Sequence, residues 1–198
     1  MPAEIALLGD SNFVVSAAYV SGALTTRPDP YVLTLVTRPG IGIRFPDCPK
    51  NVSCATNDWW KVHLAATRGR SSWDGIVVDL GINDTSTIGS QTSPGWANYG
   101  AKIDWLMRLL PAKPVWWTNL PCRIEPPTRQ VGCAAVNKAL AAAPARWSRL
   151  TVLDWAKVAD EHREYLGTSG VDLVHLTESG SKAYAELIGR ALDGRFSP

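Results

Sequence analysis

Five short apolar segments punctuate the chain: Glu4–Leu8, Tyr31–Thr37, Gly75–Leu80, Pro114–Asn119 and Leu150–Asp154. Most are continuous hydrophobic runs rather than strict alternations. A strand covered on one face alternates apolar and polar residues; one covered on both faces does not. These runs therefore predict central strands of a parallel sheet. Between them the apolar residues recur at helical spacing. Asn12–Leu24 is small and apolar, and Asp58–Thr67 has a cap at Asn57 or Asp58. Trp96–Leu110 places Ile103, Leu106, Met107 and Leu110 on one face. Cys133–Ala143 is alanine-rich, and Glu178–Leu192 gathers Tyr184, Leu187, Ile188 and Leu192 on one side. Thr177 is the predicted N-cap of that last helix and Gly194 its stop.

The alternation of strand and helix predicts an α/β fold, a parallel sheet with helices on both sides. No repeat or low-complexity linker divides the chain, and Pro121–Pro127 reads as a loop, so residues 1–198 are expected to form a single domain. Ligands of such sheets bind beyond the carboxyl ends of the strands. Chemistry is expected just after the first, second, third and fifth segments, and in the loop before the last helix.

Composition narrows the partners. The formal net charge is +2 and the charges are dispersed, which excludes the concentrated basic patch of a nucleic-acid binder. No apolar run approaches the ~20 residues of a membrane helix, and no signal-peptide pattern opens the chain. The four cysteines fall into local pairs, Cys48 with Cys54 and Cys122 with Cys133. Neither pair has Cys-x-x-Cys spacing and no histidine lies at zinc-ligand distance, so neither a metal nor another cofactor is expected. Two loop-stapling disulfides are the expectation, and with them an extracellular or cell-envelope location. Four unpaired cysteines in a cytoplasmic protein are the alternative.

The expected carboxyl edge carries a set of reactive residues. Gly9-Asp10-Ser11 follows the first strand and opens a helix, whose amino end favours a developing anion. Pro39-Gly40-Ile41-Gly42 follows the second strand, and Gly81-Ile82-Asn83-Asp84 the third. Asp172-Leu173-Val174-His175 precedes the last helix. Serine needs a base within hydrogen-bond reach. Of the three histidines, His63 falls inside a predicted helix and His162 in a polar, solvated segment, which leaves His175. Asp172 can fold back to accept from its Nδ1–H and fix the tautomer. The Ser11 N–H, the Asn83 amide and a glycine N–H at 40 or 42 make three donors for a tetrahedral oxyanion. Each motif alone is an ordinary turn; together, in this order and at this edge, they compose a nucleophile, a base, an orienting carboxylate and an oxyanion hole.

With these residues the chain resembles the SGNH hydrolase superfamily, also called GDSL esterases. The family's four blocks correspond to Ser11 in Leu8-Gly9-Asp10-Ser11, Gly40 (or Gly42), Asn83 in Gly81-Ile82-Asn83-Asp84, and His175 with Asp172. The resemblance spans the whole chain. A finer similarity, carried by Arg38-Pro39-Gly40-Ile41-Gly42, Cys48, Cys54, Trp59 and Leu153-Asp154-Trp155, is to the SGNH domains attached to bacterial membrane acyltransferases that act on cell-surface glycans. It implies a three-layer α/β/α sandwich, a flavodoxin-like parallel sheet of about five strands, and ester chemistry through an acyl-serine. The Gly-x-Ser-x-Gly elbow of the α/β-hydrolases is absent. Two positions depart from the family pattern: Asn12 stands where leucine often follows the serine, and Leu173-Val174 stands where a glycine is common.

The expected function is therefore a serine esterase acting on short acyl esters of small molecules or glycans. The alternatives are an O-acyltransferase that hands the acyl group to a sugar hydroxyl, and a glycan-binding domain on a retired hydrolase fold. The nine tryptophans read mainly as core, with Trp96, Trp117 and Trp155 as candidates for lining a pocket.

Overall fold

The computed structural model describes residues 1–43, 60, 63–64, 73–85, 99–124, 127–167 and 173–196. Strands β1 (Glu4–Gly9), β2 (Val32–Thr37), β3 (Gly75–Asp79), β4 (Val115–Thr118) and β5 (Leu150–Leu153) form one parallel sheet in the order β2-β1-β3-β4-β5. Helices α1 (Ser11–Thr25) and α5 (Glu178–Phe196) cover one face, and α2 (Tyr99–Leu109) and α3 (Pro127–Ala142) the other. A short helix, α4 (Trp155–Glu161), follows β5. This is the expected three-layer α/β/α arrangement, with its sheet of five parallel strands.

Burial explains the layers. β1, β3 and β4 are buried almost throughout, and their alternate side chains feed two cores. Ala6, Leu8, Ile76, Val78 and Trp117 face α2 and α3; Ile5, Leu7, Val77 and Trp116 face α1 and α5. The outer strands differ from the expectation of full burial. β2 is half exposed, with Val32 and Leu35 open to solvent, and β5 exposes Thr151. Both are edge strands, and apolarity alone does not distinguish an edge strand from a central one.

Helix ends also differ from the pattern. α3 begins at Pro127, before the predicted Cys133, because proline is tolerated at a first helical position where its missing N–H has no partner to lose. α5 runs through Gly194 instead of stopping there, since its packing along α1 outweighs one glycine's propensity. Its start is as expected: Thr177 Oγ1 accepts the Gly180 N–H at 3.1 Å. Most of the expected helix Asp58–Thr67 lies outside the described residues, although Trp60, His63 and Leu64 within it are helical. Trp96 lies outside them too.

In the order 2-1-3-4-5 the chain passes from β1 outward to β2 and then crosses to β3. The crevice beyond the carboxyl ends of β1 and β3 is thus the topological switch point, where such sheets bind ligands. Gly9, Thr37 and Asp79 stand level in the register, so the segments that follow them emerge side by side.

Candidate active site

β1 ends at Gly9, and Asp10 caps α1 by accepting the Asn12 N–H at Oδ1, 3.0 Å away. The cap places Ser11 at the first helical position, at the positive end of the helix. His175 reaches it from the loop before α5: His175 Nε2 lies 3.0 Å from Ser11 Oγ. That loop is pinned where Leu166 and Leu176 form an antiparallel bridge, where the Gly167 N–H donates to the His175 carbonyl at 3.0 Å, and where the Thr177 N–H donates to the Tyr165 carbonyl. The structure thus brings together two residues 164 positions apart. Asp172 lies outside the described residues. His162 is exposed beside Glu164, and His63 is also exposed.

Asn83 follows β3 on a 3₁₀ turn, Ile82–Asp84, that Gly81 enters at φ 137°, a conformation side-chain-bearing residues rarely adopt. Its Nδ2 donates to Asp10 Oδ2 and to the Ile41 carbonyl, each at 3.0 Å. Asn83 is therefore held between the Ser11 turn and the segment after β2, and both amide hydrogens have partners. Gly40 occupies a turn closed by the Ile41 N–H on the Arg38 carbonyl, with φ 70°. Gly40 is exposed, whereas Gly42 is buried against Asp84, whose carboxylate would lie 2.9 Å from any Cβ at that position. Gly42 thus has a packing reason to be glycine, and Gly40 is the more accessible of the two.

Three buried carboxyls that the sequence reading gave no site role surround this edge. Asp84 Oδ1 pairs with the fully buried Lys102 Nζ at 2.8 Å, and its Oδ2 accepts the Ile43 N–H at 2.8 Å and the Tyr99 hydroxyl at 3.4 Å. Burial raises its pKa, while Lys102 pulls it back down. Asp79 Oδ1 accepts the Thr118 hydroxyl at 3.2 Å, and Thr118 Oγ1 stands 3.0 Å from Tyr184 OH. Burial pushes Asp79 up to about 6, against the pull of the Tyr184 and Thr118 hydroxyls. Asp10 is held well above the usual carboxylate range, first by burial and then by the charges of Asp79 and Asp84. Asn12, Asp79, Asn119, Trp155, Val174 and Tyr184 border a small cleft between this edge and the His175 loop. Asn12 Oδ1 and Asp79 Oδ2 are buried there without a hydrogen-bond partner among the described residues.

Of the tryptophans, Trp155 borders this cleft. Trp117 does not: it is fully buried under α2 and α3 and donates to the Leu80 carbonyl, because its side chain alternates to the opposite face from Trp116. Cys122 and Cys133 form a disulfide that ties the loop after β4 to α3, while Cys48 and Cys54 lie outside the described residues. No metal-binding group of acidic, cysteine and histidine side chains occurs among the described residues, and no helix among them is long and apolar enough to cross a membrane.

No family model matches the chain, and no curated protein does. Solved structures match it over almost its whole length. The C-terminal catalytic domain of peptidoglycan O-acetyltransferase A from Streptococcus pneumoniae, determined with a methylsulfonyl adduct, is 20% identical with a TM-score of 0.66, covering 98% of this chain and 94% of that one. A lipase/acylhydrolase from Enterococcus faecalis is also 20% identical, with a TM-score of 0.71 and coverages of 99% and 98%. Est24, a carbohydrate acetylesterase from Sinorhizobium meliloti, is 15% identical with a TM-score of 0.71, covering 98% of this chain and 100% of that one. The chain has the fold of the SGNH hydrolases.

Proposed function

We propose that this chain, folded as an SGNH hydrolase, is a serine esterase that cleaves short acyl esters of small molecules or glycans through an acyl-serine. The observation that carries the reading is the 3.0 Å approach of His175 Nε2 to Ser11 Oγ at the switch point of the sheet. Ser11 Oγ attacks the ester carbonyl as His175 takes its proton. The tetrahedral intermediate collapses, the carbon–oxygen bond to the alcohol breaks, and His175 returns the proton to the leaving alkoxide. Water, deprotonated by His175, then attacks the acyl-serine; the bond from Ser11 Oγ to the acyl carbon breaks, His175 returns the proton to Oγ, and the acid is released. Asp172 is assigned the orientation of the imidazole.

The Ser11 N–H, at the amino end of α1, and the Gly40 N–H, in its exposed turn, are assigned to the oxyanion together with Asn83. The Asn83 amide serves it by exchanging one of its two hydrogen bonds for one to the developing charge. No step calls for a metal or an organic cofactor. The Cys122–Cys133 disulfide supports action in an oxidising compartment.

A second reading has a specific observation behind it. The likeness to the peptidoglycan O-acetyltransferase domain supports transfer of the acyl group from Ser11 to a glycan hydroxyl in place of water. One experiment tests both: an acyl-chain-length series of nitrophenyl esters, with and without sugar acceptors, using Ser11→Ala as the blank. Hydrolysis that is indifferent to acceptor supports the esterase. Acylated sugar formed faster than free acid supports the transferase. Turnover undiminished in Ser11→Ala sinks both.

A further inference from the structure

We propose that Lys102, remote from the reacting atoms, is a positioning residue for the oxyanion amide: through Asp84 it fixes the segment after β2 on which Asn83 leans. The proposal rests on the reading of Ser11 as the nucleophile.

Lys102 sits on the buried face of α2 beside Tyr99, Ile103 and Leu106, with its side chain 0% exposed. An isolated ammonium there would be very costly, and Asp84 supplies its counter-charge. Stability alone gives little reason for the pair, because replacing a buried ion pair with packed apolar side chains is often neutral or stabilising. Its geometry is more informative. Oδ1 of Asp84 is committed to Lys102, which directs Oδ2 at the Ile43 N–H. Gly42 carries no side chain and lets the carboxylate press against the backbone there. Asn83, the residue before Asp84, grips the same segment from the other side, at the Ile41 carbonyl.

Two consecutive residues of the 3₁₀ turn thus clasp residues 41–43, one by an amide and one by a carboxylate. The carboxylate half is set by Lys102. If the charge is removed, the carboxylate loses its reason to point at Ile43, the segment shifts, and the Asn83 amide turns with the Ile41 carbonyl it leans on. An error of about 1 Å in such a donor costs on the order of a hundredfold in rate.

The test compares the wild-type chain with Lys102→Met and with the charge-balanced Asp84→Asn/Lys102→Met. The second variant keeps the interior neutral in case the first does not fold. Each folded variant is assayed for kcat and KM on a short nitrophenyl ester, and for affinity towards a small boronic acid that forms a tetrahedral adduct on Ser11. The expected result is a fall in kcat of about tenfold or more, a KM within about twofold of wild type, and boronate affinity weakened by the same factor as kcat. A folded double variant that keeps wild-type kcat and boronate affinity, or that changes KM alone, overturns the proposal. Amide hydrogen exchange on wild type supplies an arm that needs no variant to fold. Ile43 is expected to stay protected in the boronate adduct while the Asn83 side-chain amide resonance shifts. Deprotection of Ile43, or an unmoved Asn83 resonance, overturns the proposal. A wild-type chain that neither turns over any ester nor forms the adduct speaks instead against Ser11 as nucleophile.

Discussion

Asp79 and Asp84 are both buried at the carboxyl edge of β3, only a few residues apart, yet they are neutralised in opposite ways. Asp79 lies on the face covered by α1 and α5, the face that delivers Ser11 and His175, and its described side-chain donor is the Thr118 hydroxyl, itself 3.0 Å from Tyr184 OH. Asp84 lies on the face covered by α2 and α3, next to Asn83, and meets a buried ammonium. Hydroxyls leave a buried carboxyl free to regain its proton as pH falls; an ammonium at 2.8 Å favours the charged form. The side proposed to deliver the nucleophile therefore holds a carboxyl answered by a hydroxyl, and the side proposed to carry the oxyanion amide holds one paired with a buried ammonium.

The largest effect should come from the nucleophile side. His175→Ala is expected to lower kcat/KM about 10⁴-fold with little change in melting temperature, read by ester turnover and circular dichroism; a loss under tenfold would remove His175 as the base. Lys102→Met is the largest expected blow to stability, about 3–5 kcal/mol, because it leaves Asp84 buried without its counter-charge; urea unfolding measures it. Asn83→Ala should cost about 10²–10³ in kcat, the usual worth of one oxyanion donor.

Asp79→Asn tests the proton link directly. Asp79 is raised to about 6 in the folded chain, so between the unfolded carboxylate range and pH 6 the native state binds the extra proton. Stability should then decline as pH rises from about 4 to about 6, by about 3 kcal/mol in total, and Asp79→Asn should flatten that slope in urea titrations across pH. A slope that survives the substitution would assign it to another group, with Asp10 the first suspect. Smallest of all, Tyr184→Phe should cost about 1 kcal/mol and move the same pH window upward, because the lost hydroxyl helps keep Asp79 ionised.

The order of strands and helices was legible because β1, β3 and β4 are buried on both faces and so are written as unbroken apolar runs. Ser11, Asn83 and His175 were legible because each follows or precedes an element whose carboxyl-edge position the α/β alternation predicts. The supporting charges were not. Lys102 occurs in a helical stretch with a charged residue, Asp104, close by, and no local pattern marks one as buried against Asp84 and the other as partly exposed beside Arg146 and Trp147. Asp10 reads as a turn residue, and its hold on Asn83 spans 73 positions that only the folded sheet brings together. The choice between Gly40 and Gly42 likewise needed the Asp84 carboxylate in place, since only its nearness assigns Gly42 a packing role.

The separation of 164 positions between Ser11 and His175 also bears on how the protein comes to life. The serine is placed by the first strand and helix, and the histidine sits just ahead of the last helix, which packs along the first. The proposed nucleophile–base pair therefore cannot form in a nascent chain until the segment as far as His175 has left the ribosome, however well the parts before it have folded. Recovery of ester turnover after dilution from denaturant would report the joining of the segments that carry Ser11 and His175, a later event than the growth of secondary structure.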